Sequence, residues 1–166
     1  MRQIKIQDIP QLVELDKKAY GQYGADEKYF RQKLNSQKTK ILVIENKKQL
    51  TGFVVFEFMK ENEIPKDFTD LVIDNPLKSK WVHIIAFTTQ SNYENRQEDT
   101  KLLKFVEELS KKLGYFIFAV PLSINHPYLK AYSFFEQNGY LKTGTIKWIA
   151  DNKDKINCYF YLKSAS

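Results

Sequence analysis

Residues 92–103, NYENRQEDTKLL, form a polar segment directly before KFVEELSKKLG, whose apolar spacing predicts a helix. The first N–H groups of a helix lack internal partners and the helix dipole favours negative charge, so this segment could hold a phosphate on its backbone. The same residues support a second interpretation. Asn95 is followed three residues later by Glu98, a pattern typical of a capping box that satisfies these N–H groups internally.

Histidine is well suited to acid–base chemistry near neutral pH, and the chain has two, His83 and His126. His83 lies inside WVHIIAFTT, the most strand-like segment of the chain. It could act there as a general base, or it could equally be a buried histidine satisfied by one backbone partner. His126 precedes Pro127 at a predicted helix start, which indicates a surface or capping residue.

The composition, 43% hydrophobic and 14% aromatic, predicts a single domain over residues 1–166. A lone cysteine, Cys158, excludes an internal disulfide and a cysteine-rich zinc site, and we expect no metal. The opening MRQIKIQDIP lacks the continuous apolar core of a secretion signal. No apolar run approaches the ~18 residues of a membrane span, so we expect a cytoplasmic protein without a membrane partner.

The formal net charge of +6 raises the question of nucleic-acid binding, because basic side chains neutralise phosphates. Only three of the 26 basic residues are arginines, which bidentate phosphate and base contacts favour. The lysines are scattered along the chain, as is typical of a solvated surface. We therefore expect no nucleic-acid partner, whereas a small anionic ligand is compatible with the charge. The oligomeric state is left open, a homodimer included.

Hydrophobic periodicity predicts the element order β-α-α-β-β-β-α-β-α-β-β. Asp8 and Asp26 are predicted to cap the first two helices, and Pro127 to open the last. Residues 60–80 are predicted to be a long loop with room for one helical turn. The predicted strands are RQIKIQ, KILVIE, LTGFVVFEFM, WVHIIAFTT, YFIFAVPL, GTIKWIA and NCYFYLK, the last two joined across DNKDK. WVHIIAFTT and YFIFAVPL flank a helix, and such a crossover predicts that they are parallel.

This order resembles the GNAT N-acyltransferase superfamily over essentially the whole chain. IKIQDIPQLVELDKKAYG resembles its first strand and helix, and AYSFFEQNGYLKTG its late helix and strand, including the Gly139–Tyr140 pair. The resemblance implies a mixed α/β (α+β) sheet of about seven strands with about four helices. It also implies an N-acetyltransferase that moves an acetyl group from acetyl-CoA to an amine of a small molecule or peptide. The alternative is a catalytically inactive GNAT-fold binding or interaction protein.

The resemblance further implies where acetyl-CoA would bind. Backbone groups around Phe87, Thr88 and Thr89 would pair with the pantetheine like an added strand, and the pyrophosphate would lie on the loop before the next helix. Asn125 resembles an asparagine that bonds the pantetheine in some relatives.

The phosphate loop departs from the family pattern, Arg/Gln-x-x-Gly-x-Gly/Ala, whose small residues let phosphates approach the backbone. This chain has no glycine between Gly52 and Gly114. Two registers are open, and both place Asp99 at a small position, together with Lys101 in one and Gln97 in the other. A carboxylate there would repel a pyrophosphate.

Side-chain donors could compensate for the missing glycines. Arg96, Gln97, Thr100 and Lys101 are the residues that we expect to bind the phosphates. Charge-assisted hydrogen bonds of roughly 1.5–3 kcal/mol each would outweigh a helix cap of about 1 kcal/mol.

A second departure concerns the proton that the leaving thiolate needs. Many GNAT members supply it from a tyrosine four residues before the Gly-aromatic pair, and Phe135 stands at that position here. Phe135 would contact the cofactor without donating a proton. Tyr132, one helical turn earlier, is then the predicted acid, with Tyr128 a weaker candidate and a core role the alternative. His83, on a segment where relatives carry a carboxylate or a water-bound polar group, is the predicted base.

Overall fold

The computed structural model describes residues 1–74, 77–150 and 153–165. Within these residues four helices and eight strands follow one another along the chain. The helices are α1 (Ile9–Tyr20), α2 (Glu27–Asn35), α3 (Arg96–Lys112) and α4 (Lys130–Gln137). The strands are β1 (Arg2–Gln3), β2 (Thr39–Asn46), β3 (Gln49–Met59), β4 (Phe68–Ile73), β5 (Trp81–Thr89), β6 (Ile117–Ser123), β7 (Leu141–Ile149) and β8 (Lys155–Ser164).

The strands form one mixed sheet in the order β1-β2-β3-β5-β6-β8-β7-β4. The predicted α/β class and the order of the predicted elements are confirmed, with one strand more than expected. The chain divides into two compact units. Unit 1 comprises Met1–Glu57 with Ile84–Phe105, and unit 2 comprises Phe58–His83 with Val106–Ser166. Among the described residues, no helix is both long enough and apolar enough to span a membrane.

The core of unit 1 lies between its two first helices and the strands β2 and β3. Apolar residues at helical spacing on α1 and at alternate positions on the strands bury against one another. The fully buried members include Ile9, Leu12, Phe30, Val43, Phe53 and Val55. The cap predicted for α2 is present, because the Tyr29 N–H donates to Asp26 Oδ1 at 2.8 Å.

The predicted first strand and first cap need correction. Residues 6–8 form a 3-10 turn, so β1 is limited to Arg2–Gln3. The Asp8 side chain makes no capping bond to α1. It accepts from the Lys5 N–H at 2.7 Å and from two guanidinium nitrogens of Arg2 at 2.7 and 3.0 Å, and these bonds hold the pKa of Asp8 below its usual value. Asp8 thus bonds to an arginine on β1 instead of capping α1.

The segment 60–80, predicted to be a loop, contains a strand. Phe68–Ile73 form the edge strand β4, antiparallel to β7. The register pairs Phe68 with Trp148 and Ile73 with Gly144, and it shifts between Thr69 and Val72. This irregularity and the polar residues interrupt the strand pattern in the sequence. Pairing therefore depends on the partner strand rather than on local propensity.

The predicted parallel pairing of the two strands that flank α3 is confirmed. β5 and β6 are parallel, and their register pairs Trp81 with Ile117 and His83 with Ala119. The last helix begins at Lys130 rather than at the predicted Pro127. β7 and β8 form the predicted closing hairpin, and residues 151 and 152 of its predicted turn lie outside the described residues.

A buried ion pair joins α3 to β8 in unit 2. Glu107, only 4% exposed, accepts two bonds from Lys163 Nζ at 2.9 and 2.7 Å and a third from the Tyr140 hydroxyl at 3.0 Å. Burial, reinforced by the Glu107 charge, raises the pKa of Tyr140 well above its usual value. The phenol is therefore a permanent donor to this carboxylate.

We expect Lys163→Met to lower the free energy of unfolding by about 2 kcal/mol in urea denaturation at pH 7. Removing one partner of a fully buried pair costs roughly 3–5 kcal/mol, and the smaller value reflects the partial exposure of Lys163. The double variant Lys163→Met/Glu107→Gln should recover much of this loss, because no uncompensated charge is left buried. Equal stability of the single and double variants would contradict the assignment.

Candidate functional site

At the end of β5 in unit 1, two tyrosine hydroxyls donate hydrogen bonds to the Phe87 carbonyl, a backbone group that is predicted to bind acetyl-CoA. The Phe87 carbonyl oxygen accepts from the Tyr93 hydroxyl at 3.1 Å and from the Tyr20 hydroxyl at 3.4 Å. The Tyr93 ring also stacks on the Phe87 ring, with centroids 5.9 Å apart. A pantetheine group could pair with this carbonyl only by displacing a tyrosine, so its pairing with Phe87 stays a prediction.

The two threonines that follow are held by side-chain bonds. Thr88 Oγ1 donates to Asp16 Oδ1 at 2.9 Å, and the Ala25 N–H donates to Asp16 Oδ2 at 2.7 Å. Burial raises the pKa of Asp16, while these two bonds act in the opposite direction. Thr89 Oγ1 lies 3.0 Å from Ser91 Oγ. The end of β5 is thereby fixed to α1 and to the loop before α3.

The start of α3 has features of both interpretations of residues 92–103, the capping box and the phosphate-binding loop. The predicted capping pair forms, since Asn95 Oδ1 accepts from the Glu98 N–H at 3.3 Å and Asn95 Nδ2 lies 3.4 Å from Glu98 Oε2. The predicted phosphate donors Arg96, Gln97 and Lys101 are nevertheless exposed to solvent. The cap therefore leaves the side-chain donors accessible at the first turn.

The loop between β5 and α3 contains no glycine, and two other residues adopt left-handed backbone conformations there. Asn92 has φ +48° and Tyr93 has φ +68°. Asparagine tolerates this conformation, whereas for tyrosine it is unfavourable and must be held by its surroundings. The stacking and hydroxyl bond of Tyr93 provide that restraint. Burial, in the first place, raises the pKa of Tyr93 well above its usual value, so the hydroxyl stays a donor.

Asp99 lies in the first turn of α3 and is fully buried. Its Oδ2 accepts from the Ser91 hydroxyl at 2.7 Å, whereas Oδ1 has no hydrogen-bond partner among the described residues. Burial raises the pKa of Asp99, and the Ser91 and Thr89 hydroxyls lower it to a smaller extent. The sequence therefore located this carboxylate correctly in the loop-to-helix segment but did not indicate its burial.

His83 in unit 2 is 3% exposed and lies in an aromatic cluster. Its ring makes an edge contact with Phe68, at 4.9 Å between centroids, and a tilted contact with Trp81, at 5.8 Å. This environment fits both interpretations of the residue, a core histidine and a base held in apolar surroundings. Its role in proton transfer stays a prediction.

Tyr132 and Asn125 each bond to Ser123, at the end of β6. The Tyr132 hydroxyl donates to the Ser123 carbonyl and accepts from the His126 N–H at 3.1 Å, and the Asn125 N–H donates to Ser123 Oγ at 3.2 Å. The Tyr132 ring also contacts Tyr159 edge-on. Its hydroxyl thus fixes the turn between β6 and α4, and its role as an acid stays a prediction.

Comparison with known proteins identifies the fold. No protein-family model matches the chain, and no curated protein matches its sequence. Arabidopsis thaliana NAA60 in complex with a bisubstrate analogue is similar in structure, with 12% identity, a TM-score of 0.75, and coverage of 99% of this chain and 98% of that chain. An acetyltransferase assigned to the GNAT family from Desulfovibrio desulfuricans has 12% identity, a TM-score of 0.70 and coverage of 100% and 98%. The PaiA N-acetyltransferase of Thermoplasma acidophilum in complex with coenzyme A has 16% identity, a TM-score of 0.61 and coverage of 98% and 96%. The chain has the GNAT fold.

Within this GNAT fold, Phe135 stands where the resemblance implies a tyrosine acid. It is fully buried, and its ring makes edge contacts with Phe134 at 5.1 Å and Tyr140 at 5.3 Å. A side chain with no exposed surface offers no contact to a ligand unless its neighbours move. The predicted contact of Phe135 with the cofactor therefore requires such a rearrangement.

Sequence reasoning missed four residues that organise the candidate donor site of the GNAT fold: Asp16, Tyr20, Ser91 and Tyr93. Two signals could have indicated them. Asp16 follows Leu12 and Leu15 on the apolar side of α1, and a carboxylate at such a position needs partners. Tyr93 is the aromatic residue in an otherwise polar loop. Their partners are distant in sequence, so neither signal specifies the contact.

Proposed function

We propose that this protein is an N-acetyltransferase that uses acetyl-CoA as donor and an amine of a small molecule or peptide as acceptor. The observation that carries the proposal is the start of α3 in unit 1. A helix of 17 residues begins directly after the loop that follows β5, and its first turns expose Arg96 and Lys101. Such a helix start suits a pyrophosphate. The GNAT fold and the coenzyme A bound to a structural neighbour support the choice of donor.

In the proposed reaction the amine nitrogen attacks the thioester carbonyl carbon, so that a C–N bond forms and the C–S bond breaks. The attacking amine loses a proton, for which His83 is the proposed acceptor. The departing thiolate gains a proton, for which Tyr132 is the proposed donor. Both residues belong to unit 2, and the enzyme is proposed to work in the cytoplasm without nucleic-acid or membrane partners.

Acetyl-CoA should raise the melting temperature of the protein. A ligand that binds only the folded state stabilises it by about 2.7 kcal/mol at one hundred times its Kd, which for a chain of this size corresponds to roughly 5–10 °C. Differential scanning fluorimetry with acetyl-CoA, and with pantetheine as the control without phosphates, measures the effect. The variant Arg96→Gln/Lys101→Gln should reduce the shift. A melting temperature unchanged at millimolar acetyl-CoA, at acidic as well as at neutral pH, would refute the proposed function.

A second candidate function is that of a GNAT-fold protein that binds a ligand or partner without catalysis. Two observations favour it, the buried carboxylate of Asp99 at the phosphate loop and Phe135 at the position of the tyrosine acid. An assay of free thiol release with a panel of primary amines separates the two candidates. Binding of acetyl-CoA without thiol release above the hydrolysis background would favour the second.

A further inference from the structure

The carboxylate of Asp99 is buried beneath the first turn of α3, the turn proposed to bind the pyrophosphate. Side chains on a helix tilt toward its N-terminus, and the 2.7 Å bond from the Ser91 hydroxyl shows that this side chain points back to the loop before α3. The side chain is fully buried, and Oδ1 has no hydrogen-bond partner among the described residues. A buried polar atom of this kind calls for a ligand or a proton.

Among the described residues, the groups that act on the pKa of Asp99 include no positively charged side chain. The Ser91 and Thr89 hydroxyls, from the loop and from the end of β5, favour its ionised form, whereas burial and the nearby Glu98 charge oppose that form. Tyr93, in the same loop, is neutral and interacts electrostatically with both Asp99 and Asp16. An anion bound next to these groups would therefore be repelled by carboxylates on the buried side of the first turn of α3.

We infer that binding of the donor is coupled to protonation of Asp99, so that the pyrophosphate binds at the first turn of α3 when this carboxyl group is neutral. The inference rests on the proposed function and adds a specific residue that controls donor affinity. A neutral Asp99 no longer repels the phosphates and no longer competes for the positive end of the helix dipole.

The direction of the pH dependence follows from these charges. Burial raises the pKa of Asp99 in the free protein, and a bound anion raises it further. Binding therefore takes up a proton. Donor affinity should be highest at low pH and should fall as the pH rises from the pKa of the free protein through that of the complex.

The test is isothermal titration calorimetry of the full chain with 3′-dephospho-CoA, which keeps the pyrophosphate but lacks the monoester that titrates near neutral pH. Measured at several pH values over the range in which the protein stays folded, the Kd of the unmodified protein should weaken about tenfold as Asp99 ionises. The Kd of Asp99→Asn should change less than twofold and stay near the low-pH value. Glu98→Gln, which removes the adjacent acidic charge, is the matched control: it should keep the fall in affinity but move it to lower pH, because the Glu98 charge opposes the ionised form of Asp99.

Two further measurements make the outcome decisive. Titrations in buffers of different ionisation enthalpy should show proton uptake that is absent in Asp99→Asn. Ser91→Ala removes the bond that favours the ionised form and should move the fall in affinity to higher pH, which tests the inference even if Asp99→Asn fails to fold. Equal slopes in the unmodified protein and Asp99→Asn, or no shift in Ser91→Ala and no proton uptake, would overturn the inference while leaving the proposed function intact. No binding by any folded variant at any pH would overturn both.

Discussion

Gly144→Ala is expected to lower the free energy of unfolding by about 3 kcal/mol, because the edge strand β4 lies too close to β7 for a side chain. A Cβ atom on Gly144 would lie 1.9 Å from the Val72 carbonyl oxygen and 2.9 Å from Ile73 Cα. Both are backbone atoms, so no rotamer change relieves the overlap. Overpacking alone costs typically 1–3 kcal/mol, and separating the strands adds lost ladder bonds.

Urea denaturation measures the loss, and hydrogen exchange of the Phe68–Ile73 amides shows whether β4 detaches. Gly114→Ala is the matched control. Gly114 has φ +82°, and within the described part of the chain a Cβ atom there would meet no atom of a non-adjacent residue within 4 Å. Alanine at this position should therefore cost only about 1–2 kcal/mol, through its backbone conformation. If Gly144→Ala were as stable as the unmodified protein, the pairing of β4 with β7 would be wrong.

His83→Gln is expected to lower kcat/KM about 100-fold above neutral pH, the lower end of the range for general acid–base catalysis. A histidine base makes the rate rise with pH as its imidazole loses a proton. Glutamine keeps much of the shape and polarity but does not titrate, so the rising limb should disappear. The pH profile of kcat/KM with a good amine acceptor measures this change.

Two variants accompany that experiment. His126→Gln should retain the rising limb, because the ring of this residue accepts from the Tyr128 N–H at 3.0 Å in the turn before α4. Tyr132→Phe should remove the falling limb of the profile if its phenol is the acid. Parental rates and profiles in both His83→Gln and Tyr132→Phe would show that neither residue transfers a proton. Catalysis would then rest on positioning and water alone.

The proposed mechanism and the inferred proton-linked binding of the donor depend on different residues in different units. Asp99, Ser91 and Thr89 belong to unit 1, whereas His83 and Tyr132 belong to unit 2. Loss of the pH dependence of binding in Asp99→Asn should therefore leave the rising limb of kcat at saturating donor in place. Measuring the donor Kd and kcat as functions of pH in both Asp99→Asn and His83→Gln separates the effect on donor binding from the effect on catalysis.

The sequence by itself determined the features that depend on neighbouring residues. Apolar periodicity specified the four helices and seven of the eight strands, Asp26 specified the cap of α2, and the three-residue spacing of Asn95 and Glu98 specified the cap of α3. Each of these signals involves residues only a few positions apart, for which the geometry of a helix or strand fixes which side chains lie close together.

Only the tertiary structure decided the contacts between residues distant in sequence. The strand β4 forms because it pairs with β7, where Gly144 leaves room for its backbone. The Phe87 carbonyl accepts hydrogen bonds from Tyr20 on α1 and from Tyr93 in the loop. Asp8 bonds to Arg2 instead of capping α1. The burial of Asp99 is of the same kind, because a carboxylate in a first helical turn is ordinarily solvated and stabilising. Long-range packing removes its solvent and leaves one oxygen without a partner among the described residues, and a local pattern carries no information about that desolvation.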